Sequence, residues 1–368
     1  MKIAFALIPE KGHVNPYIGP AQALRELGHT VVMGAPGDIA AQISAAGLPF
    51  HTLPGGSDRP THGAALVELI QDADRLAAWV GQLLLGGLDE QVEQLRSWYR
   101  GAAVDVVVVD PLYYAASLAA EAAGLPWAAV SNSLNPVLPA DLDSDLLRTA
   151  RALRRPPGRY AGCDRLSPYL NVAFTTEALC GPVAGVQLVG PSFPLWARGD
   201  EVPMEPLPDD QPMIYASFGS QIYHWPELFE KLVAANPGAE LVLSVGDLPG
   251  PFPGCRVYRY APQLALLRQA RVFVTHGGAN SFMEAIAANV PMLLSPMCND
   301  QFHQGYFAKR SQIGLVADLR TVSVSDLRGA LESLLADGPI RTAMSQLSAS
   351  YQVDGARAAA TLIEGLGR

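Results

Sequence analysis

Two Rossmann-like, doubly wound α/β domains are the architecture this sequence predicts, and three observations predict it. Continuous apolar runs, residues 3–8 and 106–109 among them, are the mark of strands buried on both faces of a parallel sheet. Helical patterns that close at a glycine follow such runs, so strand and helix alternate as a doubly wound sheet requires. A length of 368 residues is too much for one ordinary core and fits two.

In the first half, residues 3–8 read as a strand and 9–15 as a loop. Asn15-Pro16 reads as an N-cap followed by proline at the first helical position, opening a helix over 16–27 that Gly28 closes. The alternation continues through strand 30–34, helix 38–46 before Gly47, strand 104–109, helix 112–123 before Gly124, and strand 127–131. Residues 62–98 break the rhythm, being leucine-rich and helical in pattern, with Trp79, Leu83, Leu84 and Leu85. In a Rossmann-like half such an insertion lies outside the carboxyl ends of the strands, where ligands bind. A helix pair that closes the core is an equally good reading of most of these side chains. Residues 138–160 read as a helix and loop over the same face, and 171–175 and 187–189 as closing strands.

Six prolines and a cluster of acidic residues give 190–212 the composition of a linker. Domains are therefore expected at 1–195 and 212–350, joined by 196–211, with a separate C-terminal helix in 351–368. The second half repeats the pattern, with strands at 213–217, 240–244, 256–258, 272–275 and 292–295. Its helices fall at 225–235, 262–269, 279–288, 301–311, 325–336 and beyond 339. Two like halves joined by a linker suggest a nucleotide cleft between them.

Net charge is −9 with Lys and Arg scattered, so there is no electrostatic footprint for a nucleic-acid partner. Cys163, Cys180, Cys255 and Cys298 lie far apart without ligand-like spacing, which argues against structural zinc and a disulfide framework and fits a reducing cytoplasm. The first apolar run is too short for a signal peptide. No segment reaches the ~18 apolar residues that a spanning helix needs. A soluble cytoplasmic protein is the expectation.

Three places carry chemistry. The turn His276-Gly277-Gly278-Ala279-Asn280-Ser281 joins a buried strand to an apolar helix, and so gathers backbone N–H groups and the positive end of a helix dipole at one point suited to an anion. From the residues alone, Ser281 and Glu284 read first as a capping box worth ~1 kcal/mol, which needs no ligand. Gly12-His13 follows the first strand and precedes a helix, whose N-terminus disfavours the imidazolium and keeps a histidine available as a base. Asp110 ends a buried strand, where an acid is costly without a partner. Asp105, His29 and His51 stand at strand starts and read as structural. No Asp-x-Asp or His/Asp cluster suggests a metal.

The order of Tyr260-Ala261-Pro262-Gln263, the 276–281 turn, Glu284, Pro291 and Asp300-Gln301 resembles the donor-binding signature of the nucleotide-sugar-dependent glycosyltransferases of family 1. These are inverting enzymes whose two Rossmann-like domains face each other across a cleft, the GT-B fold. They include plant natural-product, bacterial macrolide and carotenoid glycosyltransferases. The resemblance is dense over 213–317, moderate over the first strand-loop-helix and 104–130, and faint over 53–103.

The resemblance implies a role for each residue that matches the signature. His276, Gly278, Asn280 and Ser281 would meet the diphosphate, Glu284 the ribose, Tyr260 and Gln263 the base, and Asp300 and Gln301 the sugar hydroxyls. Tyr260 stands where many relatives have tryptophan, which leaves uracil and thymine both open. Ser220, in the strand-end loop Ala216-Ser217-Phe218-Gly219-Ser220, would approach phosphate or sugar. His13 would be the general base, and Asp110 would bind it and stabilise its imidazolium. The implied reaction moves a hexose or deoxyhexose from UDP or dTDP, with inversion, to a hydroxyl of an apolar small-molecule natural product, as in antibiotic biosynthesis. It would need no metal or cofactor, the nucleotide sugar being a co-substrate. The C-terminal helix would pack back on the N-terminal domain. Asn289 departs from a glycine common in the family, and Gln304 from an asparagine. A UDP-sugar 2-epimerase, which shares the fold, and a non-catalytic nucleotide-sugar-binding or auxiliary protein are the alternative readings.

Overall fold

The computed structural model describes residues 1–37, 39–53, 63–139, 142, 160–161, 164–204, 206 and 211–368. Asp38, His62, Cys163, most of the expected helix and loop at 138–160, and residues 205 and 207–210 of the expected linker lie outside them. The chain divides into two compact units, Met1–Asp58 with Ala77–Glu201 and Val353–Arg368, and Arg59–Leu76 with Val202–Gln352.

From the N-terminus the elements are β1 (Lys2–Ala6), α1 (Lys11–Glu26), β2 (Thr30–Pro36), α2 (Ala40–Ala45), β3 (Phe50–Leu53), α3 (Ala64–Ile70), α4 (Ala73–Leu85), α5 (Leu88–Gly101), β4 (Val106–Val109), α6 (Tyr114–Ala123) and β5 (Trp127–Ser131). A two-residue pair, β6 (Tyr160–Ala161) and β7 (Asp164–Arg165), follows, then β8 (Leu170–Ala173), α7 (Glu177–Cys180) and β9 (Gln187–Leu188). The first sheet runs β3-β2-β1-β4-β5-β8-β9, with every neighbour parallel. Its direction of winding reverses between β1 and β4. Residues 3–6 of β1 and all of β4 are buried, as strands covered by helices on two faces should be.

α1 starts at Lys11, not at Pro16, so the expected loop 9–15 is largely the first turns of a helix that contains Pro16 and Pro20. Each proline lacks the N–H that would bond the carbonyl four residues back. The structure satisfies both orphaned carbonyls from outside: Asn132 Nδ2 donates to Gly12 O at 2.8 Å, and Ser192 Oγ donates to Pro16 O at 2.6 Å. Tyr17, buried on the same helix, donates to Val130 O at the end of β5. On another face α1 packs against α14 (Gly355–Gly365), where Ala356, Ala359, Ala360 and Ile363 are buried. A side chain at Gly19 would meet Ala356 Cβ at 2.8 Å, so this close approach requires glycine. The described residues of the insertion between β3 and β4, from 63 on, form the helices α3, α4 and α5, and Trp98 of α5 stacks on His51 of β3 with ring centroids 5.0 Å apart.

The second unit contains β10 (Met213–Ser217), α8 (Pro226–Ala235), β11 (Glu240–Ser244), β12 (Arg256–Tyr258), α9 (Gln263–Leu267), β13 (Ala270–Thr275), α10 (Ala279–Ala287), β14 (Met292–Leu294), α11 (Gln301–Arg310), β15 (Gly314–Val316), α12 (Val324–Leu335) and α13 (Pro339–Ser350). Its sheet, β12-β11-β10-β13-β14-β15, is parallel throughout and reverses between β10 and β13. Asn289, after α10, has φ of +60°, the left-handed conformation that glycine adopts at a helix end and that asparagine tolerates next best. Among the described residues no helix is long and apolar enough to cross a membrane.

The two proline repairs are testable. Asn132→Ala should lower stability in denaturant unfolding by about 1 kcal/mol, the net contribution of a part-buried hydrogen bond. Pro16→Ala restores an N–H opposite Gly12 O, so in that background the Asn132→Ala cost should shrink to a few tenths.

Candidate active site

In open parallel sheets ligands sit beyond the carboxyl ends of the strands where the winding reverses. In the first unit that point is the paired ends of β1 and β4, where Ala6 lies opposite Val109. Asp110 follows directly, its N–H bonded to Ala6 O at 3.1 Å, and its side chain is completely buried. One carboxylate oxygen accepts from Leu112 N at 3.0 Å and the other meets His13 Nδ1 at 2.6 Å. His13 is the third residue of α1, and its side chain is one-fifth exposed, at 20%. A carboxylate only accepts hydrogen bonds, so Nδ1 carries the proton and the basic lone pair lies on Nε2. The ends of β1, β4 and β5 all contribute here, because Asn132, just past β5, holds the Gly12 carbonyl next to His13. Asp105, at the opposite end of β4, accepts from Lys2 N at 2.7 Å and has a structural role.

The matching reversal in the second unit lies where Ser217 ends β10 beside Thr275 of β13. The next residue, His276, is 9% exposed. Burial lowers its pKa to about 4, against the opposing pull of the Asp300 carboxylate and a hydrogen bond to the Ser217 backbone, so the ring is neutral at pH 7. Two glycines grip that ring. A Cβ at Gly219, whose φ is +77°, would lie 2.7 Å from His276 Cε1, and one at Gly278 would lie 2.7 Å from Nε2. Thr275 Oγ1 lies 3.4 Å from His276 Nδ1 and accepts from Gly277 N.

Gly278 is the N-cap of α10, and the first intrahelical bond runs from Phe282 N to Gly278 O at 2.9 Å. The N–H groups of residues 279–281 therefore precede that bond, at the positive end of the helix. Ser281 sits inside the first turn, so the capping-box reading does not hold. Glu284 instead accepts from Gln263 Nε2 at 2.7 Å, the same nitrogen lies 3.1 Å from Ser281 Oγ, and Tyr215 OH donates to Gln263 Oε1 at 3.2 Å. Tyr260 is half-buried just before α9 and Ser220 is exposed after Gly219.

Asp300 precedes α11 and accepts from Gln304 Nε2 at 3.0 Å, so the departure from the family's asparagine holds the acid in place. It also faces His303, whose pKa burial lowers while the Asp300 charge opposes the shift. Gln301 has a different task. Its Oε1 accepts from the buried N–H groups of Met297 and Cys298 at 2.8 and 3.1 Å, which commits the carboxamide oxygen to its own loop. Sequence reasoning missed Asn132, Tyr215, Thr275 and Gly219 as parts of these sites. Only Gly219 carried a signal, as the glycine of a strand-end turn. Among the described residues no cluster of His, Cys, Asp and Glu is placed to hold a metal ion.

Comparison with known proteins adds to this geometry. Residues 211–353 match the family model described as UDP-glucoronosyl and UDP-glucosyl transferase, and residues 3–126 match the glycosyltransferase family 28 N-terminal domain. The NDP-glycosyltransferase YjiC of Bacillus subtilis is 24% identical over 98% of this chain and 96% of its own length. The oleandomycin glycosyltransferase of Streptomyces antibioticus is 28% identical over 98% and 90%. The solved structure of the spinosyn rhamnosyltransferase SpnG, complexed with thymidine diphosphate, covers the whole of both chains with a TM-score of 0.72 at 18% identity.

The burial of His276 makes stability pH-dependent. Its folded pKa of about 4 lies below the unfolded value of 6.5, so between these values the unfolded chain holds the proton and the native state does not. Stability is complete above pH 6.5 and falls as pH drops toward 4, by about 3 kcal/mol for this group alone. Urea unfolding between pH 7 and 4.5 should show that loss in the wild type and a visibly flatter dependence in His276→Asn.

Proposed function

Because this chain is a family 1 glycosyltransferase of the GT-B fold that depends on a nucleoside-diphosphate sugar, we propose that it moves a hexose or deoxyhexose from UDP or dTDP to a hydroxyl of an apolar small-molecule natural product, with inversion at the anomeric carbon. The observation that carries this reading is the 2.6 Å bond between His13 and the buried Asp110. A binding protein has no use for a base whose lone pair is directed by a buried carboxylate, whereas glycosyl transfer needs one.

His13 Nε2 takes the proton of the acceptor hydroxyl as that oxygen forms a bond to the anomeric carbon. The bond from that carbon to the phosphate oxygen breaks in the same displacement, and its electron pair leaves with the diphosphate. Asp110 stabilises the imidazolium so formed, its other oxygen being anchored by Leu112 N. In the second unit His276, Ser281 and the N–H groups from Gly278 through Asn280 receive the leaving diphosphate, with Ser220 beside them. A hydrogen-bonding helix N-terminus suits growing negative charge there without reorganisation. Glu284 holds the ribose, Tyr260 and Gln263 the base, and Asp300 the sugar hydroxyls. Gln301 acts on the sugar indirectly, by shaping the 297–300 turn that presents Asp300. No metal or organic cofactor enters this reading, the nucleotide sugar being a co-substrate. The thymidine diphosphate bound by SpnG and the oleandomycin relative support a dTDP-sugar and a natural-product acceptor.

The test is the purified protein against a matrix of UDP- and dTDP-sugars and apolar hydroxyl acceptors, read by product mass. The wild type should add one hexosyl or deoxyhexosyl unit to at least one acceptor. His13→Ala should lower that rate by at least about a hundredfold and leave the dissociation constant of the free nucleotide unchanged. Full transfer by His13→Ala would remove His13 from the mechanism, and turnover of UDP-N-acetylglucosamine without any acceptor would favour an epimerase instead.

A further inference from the structure

Tyr215 lies in the middle of β10, the central strand of its sheet, and is fully buried. Its ring stacks on Phe273, the residue opposite it on β13, with centroids 5.0 Å apart and planes within 6°. Packing therefore fixes the ring, and the hydroxyl is the one polar atom it presents, donating to Gln263 Oε1 at 3.2 Å. Gln263 is the first residue of the five-residue helix α9, so its side chain depends on its own hydrogen bonds for orientation.

Those bonds admit one orientation of the amide. Nε2 donates to Glu284 Oε2 at 2.7 Å and lies 3.1 Å from Ser281 Oγ. A carboxylate cannot donate, so the amide nitrogen must face Glu284 and the amide oxygen must face Tyr215. A flipped amide would set its oxygen against the Glu284 carboxylate. Tyr215 thus supplies the donor that makes the correct orientation the satisfied one, and three side chains from α9 and α10 are ordered through a residue that lies beneath them in the sheet.

We propose that Tyr215 is a positioning residue for the nucleotide: its hydroxyl anchors, by the oxygen, the Gln263 amide that Glu284 orients, so holds Gln263, Glu284 and Ser281 in place, and raises the affinity for the nucleoside diphosphate. The inference rests on the reading of Gln263, Ser281 and Glu284 as donor contacts. Tyr215 itself touches no substrate. Its effect passes through Gln263, which makes the coupling between the two residues the decisive quantity.

Calorimetric titration of UDP and dTDP into the wild type, Tyr215→Phe, Gln263→Ala, the double variant and Glu284→Ala tests this, with a thermal melt of each protein. Tyr215→Phe keeps the ring and removes the hydrogen bond to Gln263, so it should weaken the better-bound nucleotide roughly fivefold and leave the melting temperature within about 2 °C of the wild type. In the Gln263→Ala background the same substitution should change nothing. Wild-type affinity in Tyr215→Phe, or an equal loss with and without Gln263, overturns the proposal. The donor-site reading has its own outcome: if Glu284→Ala and Gln263→Ala both bind as the wild type does, or the wild type binds neither nucleotide, that reading fails first. If they bind weakly while Tyr215→Phe does not, only the role of Tyr215 falls.

Discussion

The bond between His13 and Asp110 depends on one constraint, that β1 and β4 run parallel and end side by side. Ninety-seven residues separate the two side chains in sequence, and the register of Ala6 against Val109 removes that distance. The imidazole is brought in by a helix that begins early, through two prolines that would ordinarily stop it. Asn132 and Ser192 take over the carbonyls those prolines abandon, and without that substitution the first turns of α1 would have no reason to hold His13 over the end of β4.

The second sheet repeats the device with different chemistry. β10 and β13 end together at Ser217 and Thr275, and what they support is a neutral, buried imidazole between two glycines and the start of a helix. One unit offers a base oriented by a carboxylate. The other offers hydrogen-bond donors arranged for an anion, with an amide–carboxylate–hydroxyl cluster beside them. The same strand order thus presents a carboxylate-bound imidazole in one unit and a neutral imidazole beside a helix start in the other, and the difference lies in the residues at the strand ends.

Much of this was legible in the sequence because the information is local. Strands at Met213–Ser217, Glu240–Ser244, Arg256–Tyr258 and Trp127–Ser131 fall where their apolar runs place them, and Gly28 and Gly124 end helices with positive φ. Errors arose where a local rule met a distant compensation. Pro16 reads as a helix start because proline is favoured there, yet the donor that lets the helix continue through it lies 120 residues from the Gly12 carbonyl it satisfies. Ser281 and Glu284 have capping-box spacing, but two glycines let the helix start at Ala279, and Glu284 turns to Gln263 instead. The amide of Gln301 serves buried N–H groups whose need only the folded loop creates. Tyr215 gave no signal, since an aromatic residue in a buried strand reads as core, and its hydroxyl matters only through a partner on α9.

The central claim is that Asp110 fixes His13 with its proton on Nδ1 and its basic lone pair on Nε2. Nitrogen-15 NMR of the histidine side chains, with His13 assigned from the spectrum of His13→Ala, reads that tautomer directly at neutral pH. The account predicts a pyrrole-type, protonated Nδ1 and a pyridine-type, unprotonated Nε2, with the preference lost in Asp110→Ala. A wild-type His13 protonated on Nε2 alone, or one whose tautomer ignores Asp110, would contradict it.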